Sequence, residues 1–173
     1  MIAESAYMLV FRLVHIVAGV IWVGSVFLVV WYIQPGARAL GPSAAPFMVE
    51  LLGKRRLAAF LLWAGGTTIG AGLFLYWRDW QLAGSLGDWV GSTYGAVLTV
   101  GSVLALAAFL LGLLALKPTL DRIVTRLSSG DGPPSPEGMA ELQALQARAR
   151  RLSVTALALL LVAVAAMATA RYW

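Results

Sequence analysis

The sequence predicts an all-α integral membrane protein, a single-domain bundle of four transmembrane helices, and two observations lead to this fold class. Of its 173 residues, 60% are hydrophobic and 12% are charged, whereas about 25% of the residues of soluble domains are charged. Four separate apolar stretches also reach the length of about 20 residues with which a helix crosses a hydrocarbon core about 30 Å thick. A soluble domain of this length could not bury so much apolar surface.

The predicted spans follow one another along the whole chain. They cover residues 7–33, 57–77, 93–116 and 152–170. Two long connections, 34–56 and 117–151, lie on one side of the membrane, and a short connection, 78–92, lies on the other. The first apolar stretch is too long for a signal peptide and has no basic segment before it, so we interpret it as a retained helix.

The basic residues are gathered in the two long connections and give the predicted orientation. The first connection has four basic residues and one acidic residue, the second has six basic residues, and the short connection has one basic residue and two acidic ones. Basic connections stay in the cytoplasm, so we expect both termini on the outer side of a bacterial inner membrane. Basic residues placed in this way face the membrane surface, and we therefore expect no nucleic acid as a partner.

The second long connection divides into two parts. Residues 128–136 are rich in Ser, Gly, Asp and Pro, which predicts a flexible stretch. A helix is predicted to follow, with Ser135 as its N-cap and a proline in its first turn. Four apolar residues then recur at helical spacing, namely Met139, Leu142, Leu145 and Ala149. This segment lies along the membrane surface or runs on into the fourth span, and its apolar face either is a simple amphipathic face or docks a partner.

Two ionisable side chains, Arg12 and His15, lie clearly inside a predicted span. Such residues are costly in a bilayer and are therefore candidates for function. No acidic residue lies within a predicted span, which disfavours a cation transporter that works through a buried carboxylate. The absence of cysteine excludes disulfides, iron–sulfur clusters and thiolate metal sites.

The first and second spans together suggest a candidate cofactor site near the outer side. Its residues share a helical face in the first span or lie in the glycine-rich part of the second: Arg12, His15, Trp22, Gly66 and Gly70. One interpretation is close helix packing, with His15 hydrogen-bonded to a threonine or serine. The other is that the glycines make room for haem b or another tetrapyrrole, with His15 as the iron ligand.

The tetrapyrrole interpretation gives each residue a role but leaves the iron with one ligand. Arg12 would contact a propionate, although its long side chain could instead reach the outer headgroups, and Trp22 would flank the ring together with Trp63. There is no second histidine. Met167 is the nearest side chain of a type that could be a second iron ligand, but it is predicted to lie some 7 Å higher in the bundle than His15. We therefore expect any haem to be singly ligated or shared with a partner subunit.

Residues 12–24 read RLVHIVAGVIWVG, and this segment resembles the first helix of three bacterial membrane families. These are the copper-resistance protein D-like proteins, the membrane protoporphyrinogen oxidases and the membrane domain of cytochrome-linked urate oxidases. The resemblance implies an association with haem, and His15, Trp22 and Gly24 match by position. Over its full length, with GKRR, YWRD and MATARYW, the chain resembles short uncharacterised four-span bacterial proteins, which implies a fold and no activity.

Two hypotheses of function follow from the sequence. In the first, a small inner-membrane protein binds a tetrapyrrole through His15 in a redox-associated role. In the second, the chain is a non-catalytic membrane subunit or assembly protein without a cofactor, and His15 is a packed polar residue. Either would work in the lipid bilayer, with a partner membrane protein or a second copy of the chain. The sequence contains no complete catalytic set, and enzymatic activity is left open.

Overall fold

The computed structural model describes residues 2–128 and 135–172, and no strand occurs in this part of the chain. Four of its helices are long and apolar enough to cross a membrane. The predicted all-helical class is therefore confirmed. Most of the stretch predicted to be flexible, residues 129–134, lies outside the described residues.

The bundle is built from four long helices. They are α1 (Ile2–Leu28), α4 (Leu57–Ala83), α6 (Thr93–Leu111) and α8 (Pro136–Thr169). Helix α1 packs along α4, and α6 packs along α8, while contacts of α1 with α8 and of α4 with α6 close the bundle. We call the end that bears the two long, lysine- and arginine-rich connections the basic end.

One layer of the core takes a residue from each long helix: Trp22, Ala64, Ala108 and Leu160. Two of the four are alanines, and small side chains let helices approach closely where lipid offers no hydrophobic driving force for their association. Many large apolar side chains instead point away from the bundle, as Leu114 does with 70% of its surface exposed. An apolar outer surface of this kind is what a hydrocarbon environment favours.

Short helices fill most of the connections. At the basic end these are α2 (Gln34–Leu40), α3 (Ala45–Met48) and α7 (Lys117–Ser128). At the opposite end α4 runs on to Ala83, and α5 (Leu86–Gly91) follows. Ser85 and Ser92 cap α5 and α6 by accepting hydrogen bonds from Asp88 N and Gly95 N, so the helix ends are satisfied by local side chains.

Three π-helical turns lie near the basic end. They are π1 (Val29–Ile33), π2 (Val49–Lys54) and π3 (Gly112–Leu116). Through π1, the first helix continues past the predicted end of its span into α2, and Gln34 N donates to Val29 O. Pro35 follows directly in α2, and since it has no N–H, it donates no hydrogen bond to the preceding turn of this continuous helix.

Helix α8 joins the predicted amphipathic segment to the fourth span in one continuous helix. Ser135 caps it as predicted, because its hydroxyl oxygen accepts a hydrogen bond from Gly138 N at 3.2 Å. Helix α7 packs along α8, and Arg126 forms a 2.6 Å ion pair with Glu141. The apolar face suggested for partner docking is half-buried, with Ala149 fully buried, so α7 of the same chain already covers part of it.

Candidate functional site

The His15 side chain joins α1 to α4 through one hydrogen bond. Its Nδ1 lies 2.8 Å from the backbone carbonyl oxygen of Thr68. A carbonyl oxygen can only accept, so Nδ1 carries a proton, and in the neutral imidazole Nε2 then keeps its lone pair. The Thr68 hydroxyl forms a separate hydrogen bond, which it donates to the carbonyl of Ala64 at 2.8 Å.

Gly72 explains why His15 can reach the backbone of α4. A Cβ atom added at Gly72 would lie 2.7 Å from His15 Cε1 and 2.9 Å from Nδ1, closer than van der Waals contact allows. The imidazole therefore occupies the place of the missing side chain. Gly72 is one helical turn after Thr68, so its lack of a side chain leaves the Thr68 carbonyl accessible.

Trp22 packs against α4 in the same way, seven residues further along α1. A Cβ at Gly65 would lie 2.8 Å from Cε2 of the Trp22 indole, and the indole meets the Phe109 ring edge-on at 6.2 Å. Trp22 is 5% exposed. Seven residues separate His15 from Trp22, and seven separate Gly65 from Gly72, so two large rings on α1 fit over two glycines on α4.

The two glycines predicted for the cofactor site lie on other faces of α4. A Cβ at Gly66 would be 3.9 Å from the Phe109 ring, an ordinary contact, and a Cβ at Gly70 would meet nothing within 4 Å. Trp63, predicted to flank a ring with Trp22, is 68% exposed on the outside of the bundle. The matching spacing of seven residues in the two spans was the sequence signal for Gly65 and Gly72.

Arg12 lies in the half of α1 that is farther from the basic end, and its side chain is exposed. Its guanidinium interacts electrostatically with the carboxylate of Asp79 and with the hydroxyl of Tyr94. The sequence placed Asp79 in a connection, whereas α4 extends through it. The chain itself therefore supplies an anionic group near Arg12, in addition to the headgroups or the propionate expected from the sequence.

A tetrapyrrole fits the chemistry of His15 but not the space between α1 and α4. The lone pair on Nε2 suits an iron ligand, and ligating histidines commonly donate their other N–H to a carbonyl. The contact of the imidazole with Gly72, however, leaves no gap for a flat ring in this interface. Met167, which the sequence placed too high to be a second ligand, packs against Gly101 of α6, away from the α1–α4 interface.

A cavity of about 90 Å³ lies in the half of the bundle nearer the basic end. Its deep wall is apolar and includes Trp22, Ala108, Phe109 and Leu160. Its other end holds three polar side chains, Gln34, Lys117 and Ser153. The sequence did not reveal this site, although an uncharged amide directly after an apolar span was a signal for it.

All three π turns border the cavity. Val29, Val30 and Ile33 come from π1, Leu51 and Leu52 from π2, and Gly112 and Leu116 from π3. A π turn widens the helix by one residue, and such turns occur often at functional sites. The widened turns at this level displace side chains from regular packing, and the cavity lies between them.

The Gln34 amide is held in one orientation. Its Nε2 donates to the Ser153 hydroxyl at 3.0 Å, and that hydroxyl donates its only proton to the carbonyl of Ala149 at 2.8 Å. A flipped amide would place Oε1 against an oxygen that has no proton left to donate. Oε1 therefore points away from Ser153, and it is buried without a hydrogen-bond partner.

Comparison with protein-family models, with curated proteins and with solved structures finds no match to this chain. The resemblances of the first span and of the whole sequence therefore stay predictions. Among the residues that the structure describes, no group of three or more histidine and acidic side chains is placed to hold a metal ion.

Proposed function

We propose that this chain is a multi-pass membrane protein that binds one membrane-borne amphiphile in the cavity near its basic end. The observation that supports this function is the polarity of the cavity. Its deep wall is formed by apolar side chains of all four long helices, and its polar groups lie together at the other end. An amphiphile would lie with its chain toward Trp22 and its head beside Gln34.

The size of the cavity favours an alkyl chain over a ring system. An apolar cavity of roughly 150 Å³ is large enough to hold a benzene ring, and this cavity measures about 90 Å³. A linear chain has the smaller cross-section, and a cavity of this volume would take its first few carbons on the way from Gln34 toward Leu160. A tetrapyrrole is far too large for this site.

The charge distribution supports an orientation for the proposed protein. Lys54, Arg55 and Lys117 lie at the basic end, and the positive-inside rule places that end in the cytoplasm of a bacterium. Both termini would then face the outer side of the inner membrane. In this orientation the amphiphile would enter from the inner leaflet, with its head at the cytoplasmic interface.

This proposal follows the second hypothesis from the sequence in giving His15 a packing role and in requiring no cofactor. The packing role is supported by the hydrogen bond from His15 Nδ1 to Thr68 O and by the contact with Gly72. Binding of an amphiphile is also compatible with a subunit or assembly protein that presents the ligand to a membrane partner.

The test is photolabelling of the purified protein in liposomes with a fatty alcohol that carries a diazirine on its chain. Label on Phe109 and Leu160 is compared by mass spectrometry with label on Leu114, which faces outward. Gly112→Leu places a side chain in the cavity, and its Cβ meets only ordinary contact with Leu62 at 3.7 Å. We expect this variant to lower cavity labelling about fivefold or more, because an overpacked site costs about 1–3 kcal/mol.

Gly70→Leu is the matched control, since it adds the same side chain to a span at a position with nothing within 4 Å. It should label like the wild type. Equal labelling of Phe109 in wild type, Gly112→Leu and Gly70→Leu would contradict binding in the cavity. Circular dichroism of all three proteins checks that they are equally helical.

A second candidate function is tetrapyrrole binding at His15, and the orientation of the imidazole favours it. The N–H of Nδ1 is held by Thr68 O, which is the arrangement that fixes metal-ligating histidines. Because the α1–α4 interface has no room for the ring, the group would lie outside it, shared with a second copy of the chain.

Visible spectroscopy tests this second candidate. The purified protein is mixed with haem, and the Soret band is recorded for wild type and for His15→Ala. A stoichiometric band that is lost in the variant would support ligation by His15. If haem added to the wild type gives only the spectrum of free haem, the tetrapyrrole hypothesis must be abandoned.

A further inference from the structure

We infer that Gln34 selects the ligand of the cavity, and that the ligand has an uncharged head with a hydroxyl group. This inference rests on the proposed function and adds the chemical class of the amphiphile. Its basis is the Oε1 atom of Gln34, a buried hydrogen-bond acceptor with no partner, on a residue that lines the cavity.

The apolar part of the ligand cannot provide the selection. Lipid tails are as apolar as the side chains that line the cavity, so moving an alkyl chain from the bilayer into the cavity changes little in free energy. A buried acceptor that lacks a partner is costly, and a group that donates to it removes that cost. Discrimination between amphiphiles therefore falls to the atom that meets Gln34 Oε1.

That atom must carry a proton. Gln34 cannot offer its N–H at the same point, because Nε2 is engaged with Ser153 and the amide is fixed by the hydrogen bond from Ser153 to Ala149. An alcohol or phenol hydroxyl donates to Oε1, whereas an ether or ester oxygen would place a second acceptor against it. The site therefore distinguishes a hydroxyl from its methyl ether.

The charges at the polar end of the cavity favour a neutral head over a phosphate or carboxylate. Lys117 is the cationic side chain among the residues that line the cavity, and its Nζ forms a 2.6 Å ion pair with the Asp121 carboxylate. An anionic head would have to displace Asp121 or lie beside it. It would also face Gln34 Oε1, a partial negative charge, at close range.

The experiment uses two diazirine probes of equal chain length, a fatty alcohol and its methyl ether, with the full-length protein in liposomes. In the wild type we expect the alcohol to label Phe109 and Leu160 on the order of tenfold more than the ether, because only the alcohol can donate a hydrogen bond to the buried acceptor. Gln34→Leu keeps the bulk of the side chain and removes the acceptor, so the preference should fall to about one.

Two further variants keep this test decisive. Gln81→Leu makes the same change at an exposed position of α4 and should retain the preference for the alcohol. Ser153→Ala frees the Gln34 amide to rotate and should weaken the preference while leaving the acceptor in place. If Gln34→Leu does not fold, Ser153→Ala alone decides, and an unchanged preference in that variant overturns the role of Gln34.

The inference and the proposed function fail in different ways. Equal labelling of Phe109 by the alcohol and the ether in the wild type, with loss of both in Gly112→Leu, refutes selection by Gln34 and leaves binding in the cavity intact. Labelling by neither probe, or labelling that Gly112→Leu does not change, refutes both.

Discussion

Replacing Gly72 with alanine tests the packing of His15 most directly. The added Cβ would lie 2.7 Å from His15 Cε1, and ordinary contact begins near 3.4 Å. The imidazole must therefore move by about 0.7 Å, which is enough to stretch its 2.8 Å hydrogen bond to Thr68 O to the limit of such a bond.

The expected cost combines two effects. Overpacking costs about 1–3 kcal/mol, and a weakened interhelical hydrogen bond in a membrane costs about 0.6 kcal/mol. Alanine gains up to about 1 kcal/mol over glycine in helix propensity, which offsets part of the loss. We expect Gly72→Ala to lower the free energy of unfolding by about 1–2 kcal/mol.

The assay is unfolding of the protein in mixed micelles by increasing SDS, followed by circular dichroism. Gly70→Ala is the control, because its Cβ meets nothing within 4 Å, and it should be neutral or slightly stabilising. His15→Ala removes the group that the new Cβ strikes, so Gly72→Ala should cost little in that background. A cost that is unchanged without the imidazole, or equal stability of Gly72→Ala and Gly70→Ala, would refute the packing argument.

Two further predictions concern the end of the bundle opposite the basic end and the contact between α7 and α8. A Cβ at Gly95 would overlap the carbonyl oxygen of Trp89, a backbone atom that cannot rotate away. Gly95→Ala should therefore reduce the yield of folded protein sharply. Gly91→Ala is the control and should not reduce it, because a Cβ at Gly91 meets nothing within 4 Å. Equal yields of the two variants would contradict this account. The exposed ion pair of Arg126 with Glu141 should contribute less than about 1 kcal/mol to the free energy of unfolding. Glu141→Gln should therefore unfold at nearly the wild-type SDS concentration. A large shift of that concentration would mean that the pair holds α7 in place.

The sequence by itself determined the helical class and several helix boundaries. Apolar stretches of membrane-spanning length are a local property of the chain, and so is the Ser135 cap, whose partner Gly138 N lies three residues away. Helical spacing also placed His15 and Trp22 on one face of α1. These features depend on neighbours in sequence, and the physical chemistry of a single helix is sufficient to predict them.

Only the tertiary structure decided which residues of different helices meet. Periodicity gives the faces of a helix but neither its rotation about its axis nor its register against a neighbour. The sequence therefore led to Gly66 and Gly70 as the site glycines. In the structure, Gly65 lies against Trp22 and Gly72 lies against His15. The electrostatic interaction of Asp79 with Arg12 depends on how far α4 extends and how it packs.

The cavity is the clearest case of a feature that packing alone decided. It lies between three π turns and includes Gln34 and Ser153, which are 119 residues apart in the chain. No local pattern predicts that a hydroxyl on α8 will fix an amide at the start of α2. The amide acceptor becomes buried and unpartnered only when four helices close around it, because partner groups of a buried polar atom are a property of the assembled bundle.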